Sequence, residues 1–196
     1  MTDKPWDARA AAWLITPFIH SEKVHPNHFT TLRLCVGISG SVVFALGMSA
    51  NLAACLIVLS NFLDHTDGEL ARASGKTSRF GHNYDLASDA IVTIAMFSGI
   101  GIGLAHHLGL FAAIAGSFAG AAVAIIFHLR NKLESAQGKD ATKQPAIGGF
   151  EAEDILYLMP LVTFFNGLEW FLWAAAIGAP IAALIVMFDY RRKMQA

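Results

Sequence analysis

The sequence predicts an all-α, polytopic membrane protein with six transmembrane helices preceded by an interfacial amphipathic helix. Three observations indicate this fold class. Hydrophobic residues make up 55% of the 196 residues and charged residues only 15%, which is too apolar for an ordinary soluble domain. The apolar residues form runs on the scale of a membrane-spanning helix. All fourteen Lys and Arg residues face one side of a six-helix arrangement, as the positive-inside rule favours.

The first segment predicts a helix that lies in the membrane interface. Trp6, Trp13 and Phe18 recur at helical spacing, with Asp7 and Arg9 off this stripe. Tryptophans on one face of an amphipathic helix are typical of an interfacial helix. We therefore expect the interfacial helix at about residues 5–20 and the six-helix bundle at about residues 25–193, within one membrane domain of residues 1–196.

The second and third apolar runs are too short to cross a bilayer by themselves. Residues 52–63 and 91–104 fall short of the roughly 20 residues that a spanning helix needs. We therefore predict that both helices continue into the polar stretch between them, forward to Arg72 and back to Asp85. A short loop at about residues 72–81 would then join two adjacent helices at one face of the membrane.

The remaining spans complete an even number of crossings. They are assigned to residues 29–48, to residues 110–129 and to the two arms of the last apolar run, residues 155–188. A turn at Asn166 and Gly167 is predicted to divide that run into two spans. With six spans in total, the basic cluster near the end of the sequence lies on the same side of the membrane as the other basic residues. The polar residues 130–149 are predicted to form a loop.

Four aspartates in two pairs mark the predicted functional site. Asp64 and Asp67 are spaced i, i+3, and Asp85 and Asp89 are spaced i, i+4, so each pair shares one helix face. Carboxylates at membrane depth are costly without cations. A thiol-free oxygen donor set suits Mg²⁺ or Mn²⁺, and four carboxylates can hold two ions that clamp a phosphoryl group. The alternative is a solvated loop with incidental charges.

The aspartate pairs belong to a longer pattern. It reads Asp64-x-x-Asp67-Gly68-x-x-Ala71-Arg72, then eight residues, then Gly81-x-x-x-Asp85-x-x-x-Asp89. This pattern resembles the complete signature of the CDP-alcohol phosphatidyltransferase family, with no departure at its eight fixed positions. Pro26-Asn27-x-x-Thr30 is similar to a further family element near the nucleotide. The family's six helices after an interfacial helix also resemble the arrangement derived above.

The resemblance implies an enzyme of phospholipid biosynthesis. It would transfer a phosphatidyl group from CDP-diacylglycerol to the hydroxyl of a small alcohol and release CMP. The implied cofactor is Mg²⁺ or Mn²⁺, as two ions, at Asp64, Asp67, Asp85 and Asp89. Asp89 is the implied general base. The implied CDP-binding residues are Asn27, Thr30, Gly68, Arg72 and Gly81.

The residues leave the acceptor alcohol open. One candidate group consists of cations at the ends of the fourth and sixth helices, namely Arg130, Lys132, Arg191 and Arg192, with Lys139 and Lys143 following. They would bind a phosphorylated acceptor such as inositol phosphate or glycerol phosphate, or anchor anionic lipid headgroups. A second group opens the fifth helix and consists of Glu151, Glu153 and Asp154. It would contact an amine-bearing acceptor, or only complement a helix N-terminus.

Two other functions are alternatives. A CDP-choline or CDP-ethanolamine phosphotransferase acting on diacylglycerol would use the same aspartates. A divalent-cation transporter would need acidic residues that continue through the membrane, and the other spans lack ionisable residues at mid-depth.

The expected partners are the CDP-linked donor, the acceptor and membrane lipids, without nucleic acid. A homodimer would pack through small residues, namely Gly99, Gly101, Gly103, Gly116 and Gly120. The expected location is the cytoplasmic (inner) membrane, with the active site and both termini facing the cytoplasm.

Overall fold

The chain folds into antiparallel helices of very different lengths. The structure, a computed structural model, describes residues 6–138 and 156–195, and those ranges contain no strand. The helices are α1 (Trp6–Ile15), α2 (Pro26–Ala45), α3 (Ala50–Ser74), α4 (Arg79–Leu108), α5 (Leu110–Gln137), α6 (Met159–Phe164) and α7 (Leu168–Gln195). A short 3-10 turn, Thr16–Phe18, follows α1.

Tight turns with local caps reverse the chain. The Ser49 hydroxyl accepts a hydrogen bond from the Leu52 amide at the start of α3, and the Ser78 hydroxyl accepts one from the Gly81 amide at the start of α4. Gly109 alone separates α4 from α5, with φ of 75°, a conformation that glycine adopts without a Cβ clash. α4 and α5 are therefore a close antiparallel pair.

Several helices are long and apolar enough to cross a membrane. Among the described residues, α2, α4, α5 and α7 meet both criteria of length and hydropathy. α3 has 25 residues, but its C-terminal part carries the charged residues of the motif. The described part of α6 has six residues, and its predicted beginning near residue 151 lies outside the described residues. The all-helical membrane architecture is confirmed, whereas the count of six spans stays a prediction.

Both helices of the motif extend into the polar stretch as expected. α3 ends at Ser74 and α4 begins at Arg79, so the loop covers residues 75–78 and is shorter than the predicted 72–81. The predicted turn near Gly167 is also confirmed, because Asn166 has φ of 54° and the Gly167 amide donates to the Val162 carbonyl over 2.7 Å.

One predicted loop is wrong in its first part. Residues 130–137 continue α5 as helix, so Arg130 and Lys132 lie within α5. The segment contains Arg, Lys, Leu, Glu, Ala and Gln, which are good helix formers. Leu133 is also 4% exposed, and its burial anchors the extension to the bundle.

Small residues allow the central helices to approach closely. Backbone carbonyls of Ser41 and Phe44 on α2 lie against Gly99 and Gly103 of α4. The Phe97 carbonyl lies against Gly116 of α5 in the same way. A Cβ at any of these glycines would collide with backbone, so the glycines pack helices within one chain. These glycines therefore do not support the predicted homodimer, which stays a prediction.

α1 packs against α3 beside the aspartate end of the bundle. Ala11 and Ile15 are fully buried, whereas Trp13 is 80% exposed and points away from the bundle. The Lys76 ammonium donates to the carbonyls of Ser21 (2.6 Å) and Val24 (2.9 Å). These contacts fix the segment between α1 and α2 against the loop between α3 and α4. The interfacial position of α1 and the single-domain organisation stay predictions.

Candidate metal centre

The four aspartates meet where α3 ends and α4 begins. Asp64 and Asp67 lie in the last turns of α3, and Asp85 and Asp89 lie in the first turns of α4. Because the two helices are antiparallel and joined by a four-residue loop, both pairs lie at the same end of the bundle. One carboxylate oxygen each from Asp64, Asp67 and Asp85 lies within 4.8 Å of the others. Asp89 lies outside that group of three.

A threonine of α2 holds one of these carboxylates. The Thr30 hydroxyl donates to Asp67 Oδ2 over 2.7 Å, and the two residues are 2% and 4% exposed. The Pro26 carbonyl is a second acceptor at 3.4 Å. A charge-assisted bond in a buried setting fixes the orientation of the carboxylate. The family resemblance assigns Thr30 to CDP binding, and the structure shows that Thr30 also orients the Asp67 carboxylate through this hydrogen bond.

Arg33 is the residue that sequence reasoning missed. Its side chain is 3% exposed, and its Nη1 lies 2.9 Å from Asp64 Oδ1. Its Nη2 lies 2.7 Å from Asp89 Oδ1 and 3.6 Å from Asp85 Oδ1. One guanidinium on α2 thus faces carboxylates of both α3 and α4. The signal in the sequence is the position of Arg33 inside an apolar span, because an arginine in a membrane helix must be paired with negatively charged groups.

The donor set fits a hard divalent cation. Asp85 Oδ1 is buried without a hydrogen-bond partner, so it has a free coordination position. Mg²⁺ keeps oxygen ligands at about 2.0–2.1 Å, which places adjacent ligands about 3 Å apart and opposite ligands about 4 Å apart. The oxygens of Asp64, Asp67 and Asp85 lie within 4.8 Å of one another, close to that range. These three residues are therefore the candidate ligands of one ion.

Of the predicted CDP-binding residues, Gly68 and Arg72 lie on α3, the helix that carries Asp64 and Asp67. A Cβ placed on Gly68 would lie 3.3 Å from Nη1 of Arg72, so the glycine leaves room for that guanidinium. Arg72 is 63% exposed and pairs with the buried Glu69 over 3.0 Å. It does not pair with the aspartates, and Arg33 has that role.

Asn27 and Gly81 are in contact where α2 and α4 begin. A Cβ on Gly81 would lie 3.0 Å from Asn27 Oδ1 and 3.0 Å from the Ser78 hydroxyl. Next to them, the hydroxyls of Thr31 and Tyr84 are 2.9 Å apart. The start of α2 therefore packs directly on the start of α4, which brings Asn27 and Gly81 together.

The predicted acceptor residues lie at the same end of the bundle. Asp89 and Arg130 are each about 30 Å from the Gly109 turn, at 1.5 Å per helical residue, so they are at similar heights on neighbouring helices. The Gln137 amide donates to the Lys193 carbonyl over 2.6 Å and ties the end of α5 to α7. Arg130 is half-buried, whereas the other three are exposed, namely Lys132, Arg191 and Arg192. Outside the described residues lie Lys139, Lys143, Glu151, Glu153 and Asp154.

This combination of helical fold and carboxylate cluster defines a class of membrane transferases. The family model of the CDP-alcohol phosphatidyltransferases matches residues 23–187, and the chain therefore belongs to that family. The protein is accordingly a membrane CDP-alcohol phosphatidyltransferase, an enzyme of phospholipid biosynthesis.

Named relatives and solved structures agree with the family. Archaetidylinositol phosphate synthase of Pyrococcus horikoshii is 25% identical over 88% of this chain and 86% of its own length. CDP-diacylglycerol–serine O-phosphatidyltransferase of Mycobacterium leprae is 33% identical over 46% of this chain, but over only 27% of its own length.

The structural neighbours share the fold. Phosphatidylinositol phosphate synthase of Mycobacterium tuberculosis, in complex with manganese and citrate, aligns with a TM-score of 0.67 at 21% identity. The alignment covers 94% of this chain and 88% of that one. The same enzyme with CDP-diacylglycerol bound aligns with a TM-score of 0.60 at 21% identity, over 97% of this chain and 92% of that one.

Proposed function

We propose that the protein transfers a phosphatidyl group from CDP-diacylglycerol to a hydroxyl of a small alcohol and releases CMP. The observation that carries this proposal is the convergence of carboxylates from α3 and α4 at one end of an apolar bundle. CDP-diacylglycerol as donor is supported by the structural neighbour from M. tuberculosis that binds it.

Each residue of the centre has a proposed role in binding. Asp64, Asp67 and Asp85 would hold one Mg²⁺ or Mn²⁺ ion, and Asp89 would complete the carboxylates for a second ion. The two ions would offset the charge of the donor pyrophosphate. Manganese in a neighbour's structure supports a divalent ion. The CDP portion would bind to a set of five residues, namely Asn27, Thr30, Gly68, Arg72 and Gly81.

Asp89 is the proposed general base. Its carboxylate takes the proton of the acceptor hydroxyl, and the hydroxyl oxygen forms a bond to the phosphorus that carries the lipid. The bond between that phosphorus and the bridging oxygen of the pyrophosphate breaks, and CMP leaves with this oxygen. The ion pair between Asp89 Oδ1 and Arg33 fixes the carboxylate while its second oxygen remains for the proton.

A phosphorylated alcohol is the proposed acceptor class. Four cations of α5 and α7 lie towards the aspartate end of the bundle, and guanidinium groups bind phosphate with two parallel hydrogen bonds. The names of the P. horikoshii relative and of the M. tuberculosis neighbour, both inositol phosphate lipid synthases, point to the same class. The four residues are Arg130, Lys132, Arg191 and Arg192.

We also propose a placement in the cytoplasmic membrane with six spans. The active site and both termini would face the cytoplasm, because the described basic residues gather at the aspartate end. In the described residues, the buried charged side chains are Arg33, Asp67 and Glu69, all at that end. A cation pathway through the bundle would need further charges, so the enzyme is favoured over the transporter.

An acceptor screen tests the donor and the acceptor together. Purified protein receives radiolabelled CDP-diacylglycerol and Mg²⁺ or Mn²⁺, with inositol phosphate, glycerol 3-phosphate, inositol or serine. We expect CMP release with a phosphorylated alcohol and not with serine. CMP release only from CDP-choline or CDP-ethanolamine, with diacylglycerol as acceptor, would show that the lipid is on the other substrate.

The Asp89→Asn variant tests the base. We expect CMP release to fall by about 10²–10⁴-fold, the range that a general base contributes, while binding of the CDP donor is retained. Asp189→Asn is the matched control, because Asp189 is exposed on α7 and pairs with Lys193. Wild-type turnover in Asp89→Asn would refute the assigned role.

A further inference from the structure

Arg33 is held rigidly at the meeting point of three helices. The Ser60 hydroxyl of α3 donates to the Arg33 carbonyl over 2.8 Å. One turn further along α2, a Cβ on Gly37 would lie 2.7 Å from both the Ser60 hydroxyl and a Val92 methyl of α4. The backbone that carries the guanidinium therefore cannot move away without separating α2 from the α3–α4 hairpin.

The guanidinium links carboxylates that come from different helices. It bonds Asp64 on α3 over 2.9 Å and Asp89 on α4 over 2.7 Å, and Nη2 also lies 3.3 Å from the Asp85 backbone carbonyl. Arg presents several donors in a planar fork, so one side chain can serve both helices at once. A lysine ammonium is a compact point charge and would reach them less well.

The charge balance of the centre requires a cation when no metal is bound. Four carboxylates at the end of an apolar bundle repel one another, and Arg72 is paired with Glu69. Arg33 is almost fully buried and faces three of the four. Removing one partner of a buried ion pair leaves an uncompensated charge and is strongly destabilising.

We infer that Arg33 is a positioning residue that acts as a built-in counter-ion and keeps the carboxylates of α3 and α4 assembled while the centre is free of metal. The inference rests on the proposed function, because it takes the aspartates as metal ligands. Divalent ions and the Arg33 guanidinium then stabilise the same arrangement of carboxylates, because both offset the negative charge of the carboxylates. Loss of Arg33 should therefore make the fold depend more strongly on the ions.

The test is thermal unfolding of the purified protein in detergent, after chelation and after addition of Mn²⁺. We expect Arg33→Met to lower the Tm of the chelated protein on the order of 10 °C. Mn²⁺ should then raise the Tm of Arg33→Met about twice as far as it raises the wild-type Tm, because bound ions replace the missing charge. NaCl at matched ionic strength is added in parallel, since screening alone also weakens repulsion.

Arg79→Met is the matched control. Arg79 is an exposed arginine at the start of α4, and its removal should leave the Tm and its response to Mn²⁺ unchanged. If Arg33→Met does not yield folded protein, Arg33→Lys carries the test, with a larger Mn²⁺ response than that of the wild type.

The outcomes separate this inference from the proposed function. An equal fall in Tm with and without Mn²⁺ would make Arg33 an ordinary structural ion pair and overturn the inference. An unchanged Tm in Arg33→Met, or a wild-type response to Mn²⁺ in Arg33→Lys, would overturn it as well. If wild-type protein itself shows no Mn²⁺ response and binds no Mn²⁺ by electron paramagnetic resonance, the metal-dependent function fails and the inference falls with it.

Discussion

Replacing Thr30 by valine should weaken metal binding without changing the shape of the helix interface. Valine is nearly isosteric with threonine, so the substitution removes mainly the bond from the Thr30 hydroxyl to Asp67 Oδ2, which is 2.7 Å long. A hydrogen bond to a charged group contributes about 1.5–3 kcal/mol. At about 1.4 kcal/mol per tenfold change in affinity, the expected loss in Mn²⁺ affinity is roughly 10- to 100-fold, as for other residues that orient metal ligands.

The assay is a titration of purified protein with Mn²⁺, followed by the electron paramagnetic resonance signal of the free ion. Thr31→Val is the control, because the neighbouring Thr31 hydroxyl is exposed and bonds Tyr84 instead of an aspartate. Thr30→Ser should restore most of the affinity, since it keeps the donor. Wild-type affinity in Thr30→Val, or an equal loss in Thr31→Val, would refute the proposed action of Thr30 on Asp67.

Two further predictions concern packing. Gly103→Ala should lower the free energy of unfolding by about 1–3 kcal/mol, as overpacking does, because the added Cβ would collide with the Phe44 carbonyl. Thermal unfolding measures the effect, and Gly178→Ala is the control because Gly178 has open space around it. An equal loss of stability in both variants would contradict the packing argument. Lys76→Met should speed proteolysis of the segment between α1 and α2, because the ammonium bonds two of its carbonyls, and unchanged cleavage, as expected for Arg79→Met, would contradict this.

The extents of α3 and α4 were predictable because bilayer thickness sets a minimum length. An apolar run that is too short to cross the bilayer must be extended by the residues that flank it. Here those flanking residues include Asp64 and Asp85. Spacing then put each aspartate pair on one helix face, and the structure brings three of their oxygens together. These predictions depend on local distances along the chain, which a sequence displays directly.

The role of Arg33 was not predictable in the same way. Its partners Asp64 and Asp89 are 31 and 56 positions further along the chain, and no local spacing connects them. The continuation of α5 past Arg130 is a different case, since helix-forming residues were present in the sequence. There the polar residues favour a loop, whereas helix propensity and the burial of Leu133 favour the helix that forms.

The buried face of α2 explains why an arginine belongs in this helix. The buried positions, from its first turn to its last, are Pro26, Thr30, Arg33, Gly37, Gly40, Ser41 and Phe44. They recur every three or four residues and so form one face. This face is polar or small over most of its length, whereas Leu32 and Val42 are about half exposed. Helices in membranes pack through small and polar residues, so the usual search for an apolar inner stripe points to the wrong face.

Along this face the function of α2 changes with depth. Near the site, the hydroxyl of Thr30 and the guanidinium of Arg33 bond three of the four aspartates. Deeper in the bundle, Gly37 and Gly40 let α3 and α4 approach closely. The α3–α4 hairpin alone would place four carboxylates together with no cation between them. α2 therefore supplies both the charge and the close packing that allow the carboxylates to converge before a metal ion binds.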